Sequence, residues 1–194
     1  PARSLYAYQY AGTPYTLDIT ADDIVTTFTV DSQLVLTLAD NELSLDASVE
    51  IDVKDAPARE IRIETDADAE WTVTSITGQH VSEADADVRD EDGKRIIYVP
   101  FRQAVHGAAL VTIRMERSLK RDSVMFAAPK FTVLGAKSER GYLVMAAEKG
   151  IRLKAKASTA LQEVHTGSAP MRIAGAQQAF RFKTGEWSLG MTIE

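Results

Sequence analysis

The chain has 194 residues, of which 45% are hydrophobic and 26% are charged, and it contains no cysteine. This composition is that of a globular protein with a substantial core, and it excludes disulfide bonds and thiolate chemistry. No apolar run approaches the roughly 20 residues that a membrane-spanning helix needs, so we predict no membrane insertion by this part of the chain.

The charges are divided unequally along the chain. Residues 1–93 hold 21 acidic and 5 basic side chains, whereas residues 94–194 hold 7 acidic and 17 basic ones. The two halves are therefore expected to pair, either within one molecule or between successive modules, and pairing within one molecule needs no partner. The basic residues are scattered through alternating strands rather than bunched with exposed aromatic side chains, so we predict no nucleic acid partner.

Strand patterns dominate in chain order. In ELSLDASVEIDV every second residue from Leu43 to Val53 is apolar, and this period of two puts one face of a strand in a core. The alternation continues in REIRIET, EWTVTSITG, KRIIYVPF, ALVTIRME, GYLVMAA and IRLKAKA. Turn residues that tolerate a left-handed backbone separate these segments, namely Asp40-Asn41, Asp92-Gly93 and Glu148-Lys149-Gly150.

Many short strands between tight turns, with almost no helical periodicity, predict an all-β protein. We expect an antiparallel β-sandwich with a smaller second β unit. The charged segment SLKRDS, residues 118–123, interrupts the strand pattern. The expected division is a terminal hairpin of a preceding repeat in residues 1–20, a β-sandwich in residues 21–118, and the smaller β unit in residues 119–194.

Two segments near the ends of the chain share one side-chain pattern. AYQYAGTPYTLDIT (residues 7–20) and AFRFKTGEWSLGMT (residues 179–192) align without a gap, 172 positions apart, with Leu17 opposite Leu189 and aromatic positions kept. We interpret the likeness as a true repeat. It predicts that Tyr8–Thr20 and Phe180–Thr192 each form the same aromatic-rich hairpin, the second closing the module.

No residues have the spacing of a known catalytic or metal site. His80, His106 and His165 are isolated in sequence, and the surroundings of Ser138 lack the strand–turn–helix context of a serine nucleophile. Trp71 and Trp187 are in phase with aliphatic neighbours, which predicts core positions rather than a carbohydrate platform. We therefore predict no catalytic, cofactor-binding or metal-binding residues, and no cofactor.

Acidic residues cluster in DADAE (residues 66–70) and EADADVRDEDG (residues 83–93). Alternate carboxylates on an extended segment face one side, and carboxylate oxygens are ligands that calcium prefers. However, Val88 stands where the calcium-loop motif requires its first aspartate. The preferred interpretation is a solvated acidic strand face, which also discourages edge-to-edge aggregation.

The run from Leu34 to Leu119 resembles, in strand order and turn placement, the β-sandwich modules of large bacterial cell-envelope proteins. A similar strand succession occurs in the N-terminal sandwich of the zinc aminopeptidase family, whose metal site is not in this sequence. The resemblance implies a fold and transfers no activity.

The repeat and the resemblance lead us to expect a non-enzymatic structural or interaction module of a long, repeated bacterial envelope protein, located in the periplasm or on the cell surface. Its expected partners are neighbouring repeat modules of the same chain, with a protein or glycan as a further candidate. The alternative is an accessory β-domain of a secreted carbohydrate-active enzyme. More copies of the aromatic segment in the flanking sequence would favour the envelope module. An adjoining catalytic domain would favour the accessory domain.

Overall fold

The computed structural model describes residues 8–9, 11–18, 24–119 and 125–194. Its regular structure consists of strands and two 3-10 turns (Glu83–Asp85 and Thr166–Ser168), and the described residues contain no α-helix. The all-β prediction is thereby confirmed. The strands are β1 (Thr27–Ala39), β2 (Glu42–Thr65), β3 (Thr72–Thr77), β4 (Asp87–Glu91), β5 (Lys94–Ser118), β6 (Met125–Ala127), β7 (Phe131–Val133), β8 (Ser138–Ala147), β9 (Leu153–Thr159), β10 (Leu161–Val164), β11 (Ala176–Phe182) and β12 (Ser188–Ile193).

Nine of these strands form one large sheet. Its order is β10-β11-β8-β1-β2-β5-β3, with β4 added to β5 and β7 added to β2. All neighbours are antiparallel except β1 and β8, which are parallel. Parallel neighbours need a long crossover, and here the chain between them forms β2, β3, β4, β5 and β7 of the large sheet and β6 of the other sheet.

The remaining three strands form a small sheet, in which β12 is the central strand between β6 and β9. Side chains of the small sheet, among them Phe126, Leu153 and Leu189, belong to the same buried cluster as the inward residues of β1, β2 and β5. The two sheets thus share one core, as in the predicted sandwich.

The alternating residues of the long strands form this core. In β2, every second residue from Leu43 to Val53 has an exposed fraction of 0%. The hairpin between β1 and β2 turns at Asp40 and Asn41, whose φ angles are 46° and 63°. Both angles lie in the left-handed region that Asp and Asn tolerate, so the predicted turn is confirmed.

Strands from both sides of the predicted domain boundary share the large sheet. β1 to β5 come from residues 21–118, whereas β7, β8, β10 and β11 come from residues 119–194. The small sheet consists of strands from residues 119–194 alone. The boundary segment lies mostly outside the described residues, because 120–124 are not among them. The division into units remains a prediction.

The predicted hairpin at Phe180–Thr192 is wrong. β11 pairs with β8 and β10 in the large sheet, whereas β12 pairs with β6 and β9 in the small sheet. Residues 183–187 therefore cross from one sheet to the other instead of making a turn. The apolar side chains still face one core, and Phe182 and Trp187 stack with ring centroids 5.6 Å apart.

Gly141 marks the tightest approach between strands of the large sheet. It lies in β8 between Ser32 of β1 and Phe182 of β11. A β-carbon at this position would collide with the Ser32 carbonyl oxygen and lie 2.6 Å from Cζ of Phe182. Only glycine fits there without moving a backbone group.

We expect Gly141→Ala to lower the free energy of unfolding by roughly 1–3 kcal/mol, because an added carbon in a filled core forces backbone shifts. Gly190→Ala is the matched control: Gly190 also lies in a strand, and its β-carbon would meet only ordinary contacts at 3.8 and 3.9 Å. Chemical denaturation of both variants measures the difference. Equal losses would contradict the packing described for Gly141.

Candidate functional site

The first acidic segment is held by basic groups from distant parts of the chain. Arg117 of β5 forms ion pairs with Asp68, at 3.0 Å, and with Glu70. The carboxylate of Asp66 accepts the backbone N–H of Lys130 at 2.7 Å. These carboxylates therefore already have protein partners: Asp68 and Glu70 share Arg117, and Asp66 accepts from the Lys130 backbone.

The second acidic segment is neutralised along β4 and its neighbour β5. Asp87 pairs with Arg89 at 2.9 Å, and this hydrogen bond holds the pKa of Asp87 below its ordinary value. Glu91 accepts the hydroxyl of Tyr98 at 2.9 Å, and the Arg89 guanidinium lies 4.4 Å from the centre of the same ring. In the part of the chain that the structure describes, no three acidic or histidine side chains are placed to hold a metal ion.

We expect added calcium to leave the thermal midpoint of unfolding unchanged, because Arg117 and Arg89 already occupy the carboxylates that would bind it. A bound ion would stabilise the fold by about 2.7 kcal/mol at a hundredfold excess over its dissociation constant. Thermal unfolding with chelator, and then with millimolar calcium, is the measurement. A rise in the midpoint with calcium, absent with magnesium, would reveal a site.

The other residues singled out in the sequence do not come together. His165 accepts the N–H of Gly167 at 3.0 Å and so caps a 3-10 turn, while His106 is exposed and His80 half-buried. Ser138 is exposed at the start of β8. Trp71 and Trp187 are 3% and 2% exposed, which confirms their predicted core positions and removes them from any sugar-binding platform.

The unequal charges of the two halves pair within the molecule, as the simpler hypothesis predicted. Acidic side chains of the first half meet basic side chains of the second half across neighbouring strands. The ion pairs are Glu64–Lys94 at 2.9 Å, Asp46–Arg114 at 3.7 Å, Asp68–Arg117 at 3.0 Å and Asp31–Arg140 at 2.9 Å.

Sequence reasoning missed a buried acid, Glu139 of β8. Glu139 is 8% exposed, and its Oε1 atom has no hydrogen-bond partner. A β-carbon at Gly185, in the segment that crosses between the sheets, would lie 2.5 Å from its Oε2 atom. Burial raises the pKa of Glu139 to about 7, and the nearby charge of Glu186 adds to the rise, whereas the Val133 N–H and Lys130 oppose it. The alternation of Glu139 with Gly141 and Leu143 was the signal that could have placed it inward.

The two aromatic segments have opposite environments. In the C-terminal copy, Trp187 and Leu189 are 2% and 1% exposed within the small sheet. Their counterparts in the N-terminal copy, Tyr15 and Leu17, are 60% and 53% exposed and lie in no strand. The predicted common shape is thus wrong for these described positions; residues 10, 19 and 20 lie outside the described residues.

The physical reason follows from the fold. β12 is extended because β6 and β9 pair with it on both sides, and an isolated strand or hairpin is marginal in water. A segment with the same side-chain pattern therefore needs equivalents of β6 and β9 in order to become a strand. The side-chain pattern alone does not provide them.

The chain enters and leaves the sandwich at opposite ends of β1. It enters at Thr27, where β1 begins. At the other end of this strand, Glu148 donates its N–H to the carbonyl of Leu38 at 3.0 Å. The turn that follows leads to Arg152, whose backbone exchanges hydrogen bonds of 2.8 and 3.3 Å with Glu194. With a strand rise of about 3.4 Å per residue, Thr27 and Leu38 are about 37 Å apart along β1.

Comparison with known proteins does not assign the chain to a family, because no family model and no curated protein matches it. Solved structures with some likeness include a two-domain M1 zinc metallopeptidase bound to L-tryptophan (8% identity, TM-score 0.45, 86% of this chain and 43% of that chain). They also include an M1 zinc metallopeptidase from Deinococcus radiodurans (10% identity, TM-score 0.46, 86% of this chain and 42% of that chain). A third is leukotriene A4 hydrolase from Saccharomyces cerevisiae (8% identity, TM-score 0.46, 88% of this chain and 30% of that chain).

This chain spans less than half the length of each of these proteins. Identities and TM-scores this low carry no argument about family or activity. Among the described residues, no helix has the length and hydrophobicity of a membrane span.

Proposed function

We propose that this chain is a structural spacer module of a longer repeated protein, acting by holding its neighbours at a fixed separation rather than by catalysis. The observation that carries the proposal is the placement of Thr27, the first residue of β1, and of Glu194, which follows β12. Glu194 is hydrogen-bonded to Arg152 beyond the Leu38 end of β1, and Leu38 is about 37 Å from Thr27 along the strand direction. Modules that enter at one end and leave at the other extend a chain when they are linked in series.

The repeated side-chain pattern supports the same proposal. The pattern of residues 7–20 recurs 172 positions later, and the later copy supplies β12, the central strand of the small sheet. A preceding module of this fold would have residues 16–21 as its own β12. Tyr15 and Leu17 would then be buried, as Trp187 and Leu189 are here.

The proposed setting is the bacterial envelope, in the periplasm or at the cell surface, with adjacent modules as the main partners. The resemblance of the strand order to envelope-protein modules motivates this setting, and the absence of cysteine from the chain is compatible with it. Fractionation of the source cells with an antibody against the chain tests it. Recovery of the protein only in the cytoplasm would overturn the location.

The sequence of the full-length gene tests the spacer function. Further copies of the aromatic segment at intervals of roughly 170 residues would support a repeated array. A gene without a second copy of the module would overturn it. A catalytic domain next to a single copy would instead favour an accessory domain of a secreted carbohydrate-active enzyme.

A further inference from the structure

We infer that consecutive copies of this module dock on each other, with Ile24 and Val25 of one copy seated in a shallow depression at the far end of the preceding copy. This inference rests on the proposed array, and it adds a defined contact between neighbours. The receiving surface, here called the exit-end depression, has Ala147, Ile151, Ala174 and Ala176 in its lining, together with polar residues that include the charged Glu148 and Lys149.

The repeat register brings the two surfaces together. Because the segments are offset by 172 residues, residue 23 of the next copy would directly follow Glu194. Ile24 and Val25 of that copy are then two and three residues beyond Glu194. A chain advances at most about 3.6 Å per residue, so both lie within about 11 Å of the Glu194 Cα atom.

The exit-end depression lies within this reach. Glu194 is hydrogen-bonded through its backbone to Arg152, the neighbour of Ile151. On the other side, Ala147 donates its N–H to the carbonyl of Gly175 at 3.2 Å, which holds the loop bearing Ala174 against the end of β8. The depression is thus formed by two segments already fixed to the sheet.

Ile24 and Val25 have the surface that such a contact needs. They are 71% and 73% exposed, and they are adjacent apolar β-branched residues just before β1. Leaving two such side chains in water is unfavourable. They form a small apolar surface that the inferred contact would cover.

Charge favours the same orientation. In this register residues 18 and 22 fall on Gly190 and Glu194 of the preceding copy, so Asp23 is the acidic residue that the following copy brings beside the exit-end depression. The sequence from Glu148 to Lys156 contains four basic residues and one acidic residue. Opposite charges on two surfaces favour one docking orientation, and the occupant that the repeat register and this charge favour is the following copy of this chain.

The test uses a protein in which residues 23–194 follow the complete chain without a spacer. The chain has no cysteine, so two introduced thiols are the only ones present. Ala174→Cys in the first copy is combined with Val25→Cys in the second copy, and the disulfide is equilibrated with glutathione. The same two substitutions placed together in the first copy are the control: Val25 lies at the Thr27 end of β1 and Ala174 near the Leu38 end, about 37 Å along the strand, and a disulfide requires Cα atoms within about 7 Å.

The short connection alone brings the two test thiols near each other, so a further substitution decides the question. We expect Ile24→Asp in the second copy to lower the disulfide equilibrium constant at least fivefold. Ile24→Asp in the first copy, which follows no module, is expected to leave the constant unchanged. An unchanged constant with the second-copy substitution would overturn the docking.

The two proposals fail separately. If the gene contains many copies but the disulfide equilibrium constant does not change with Ile24→Asp, the array is supported and the docking is overturned. A gene without a second copy would discard the array, whatever the thiols do.

Discussion

Replacing Glu139 by glutamine is expected to stabilise the protein at pH 8 by about 2–3 kcal/mol. In the folded protein the pKa of this buried carboxyl is raised from its ordinary value of 4.5 to about 7. The folded state therefore holds the proton more tightly than the unfolded state does. Above pH 7 the wild-type protein buries an ionised carboxylate whose Oε1 atom has no partner, whereas glutamine keeps the shape without the charge.

The sign of the pH dependence follows from the same shift. Below pH 4.5 both states are protonated at Glu139, and the stabilising effect of the neutral acid is fully present. Between pH 4.5 and about 7 the unfolded state ionises first, so the free energy of unfolding falls, by about 3 kcal/mol in total. Above pH 7 both states are ionised and the loss stays constant.

Urea denaturation between pH 4.5 and pH 8.5 measures this dependence. In the Glu139→Gln variant, most of the decline in the free energy of unfolding with rising pH is expected to disappear. A smaller decline remains, because burial also raises the pKa of Asp66. Glu186→Gln, at an exposed neighbour, is the comparison: it is expected to keep most of the decline, because burial rather than the charge of Glu186 is the main cause of the raised pKa of Glu139. An equal decline in wild type and Glu139→Gln would show that this carboxyl is not buried against the crossing segment.

The position of Glu139 shows what the sequence could not provide. Within AKSERGYLV it reads as part of a polar loop, because serine, glutamate, arginine and glycine are typical of loops. Its burial depends on β7, which precedes it in the sequence, and on Gly185, which follows it by 46 positions. The alternation with Gly141 and Leu143 gives only a local hint.

The turns were predictable because their chemistry is local. Asp40-Asn41 and Asp92-Gly93 take positive φ angles in the structure, and the residues themselves favour this backbone region. The all-β class was predictable for a similar reason, since the period of two is visible within each strand.

The length of the strands was not predictable in the same way. REIRIET was predicted as a separate strand, yet it continues β2 without interruption to Thr65. The polar segment before it contains Asp55, with a φ of 66°, and the register with β5 shifts between Val53 and Ala58. A bulge interrupts the pairing here without ending β2, because β5 remains paired on both sides of it.

The hairpin prediction failed for a related reason. KTGE, residues 183–186, has the composition of a tight turn, and a tight turn would pair the strands on either side. In the structure, β11 pairs with β8 and β10, whereas β12 pairs with β6 and β9. Partners far away in sequence thus decide the sheet to which each strand belongs, and neither the spacing nor the side-chain pattern reveals them.

Leu17 and Leu189 offer a matched pair for testing the two environments of the repeated segment. Both occupy the same position of the aligned pattern, but Leu189 is 1% exposed in the small sheet and Leu17 is 53% exposed. We expect Leu189→Ala to lower the free energy of unfolding by about 2–5 kcal/mol, because it leaves a cavity beneath the central strand. Leu17→Ala is expected to change it by less than about 0.5 kcal/mol.

Chemical denaturation of both variants of the single chain measures the difference, and the two-copy protein extends the argument. If residues 16–21 serve as β12 of a preceding module, Leu189 of the first copy, five residues before the junction, fills the Leu17 position of the second copy, which itself begins at residue 23. Its truncation should then destabilise the first copy alone, whereas truncation of Leu17 at the start of the first copy should have no effect. A loss of more than 1 kcal/mol from Leu17→Ala in the single chain would mean that the N-terminal segment already packs on its own module, and the repeated pattern would then need a different explanation.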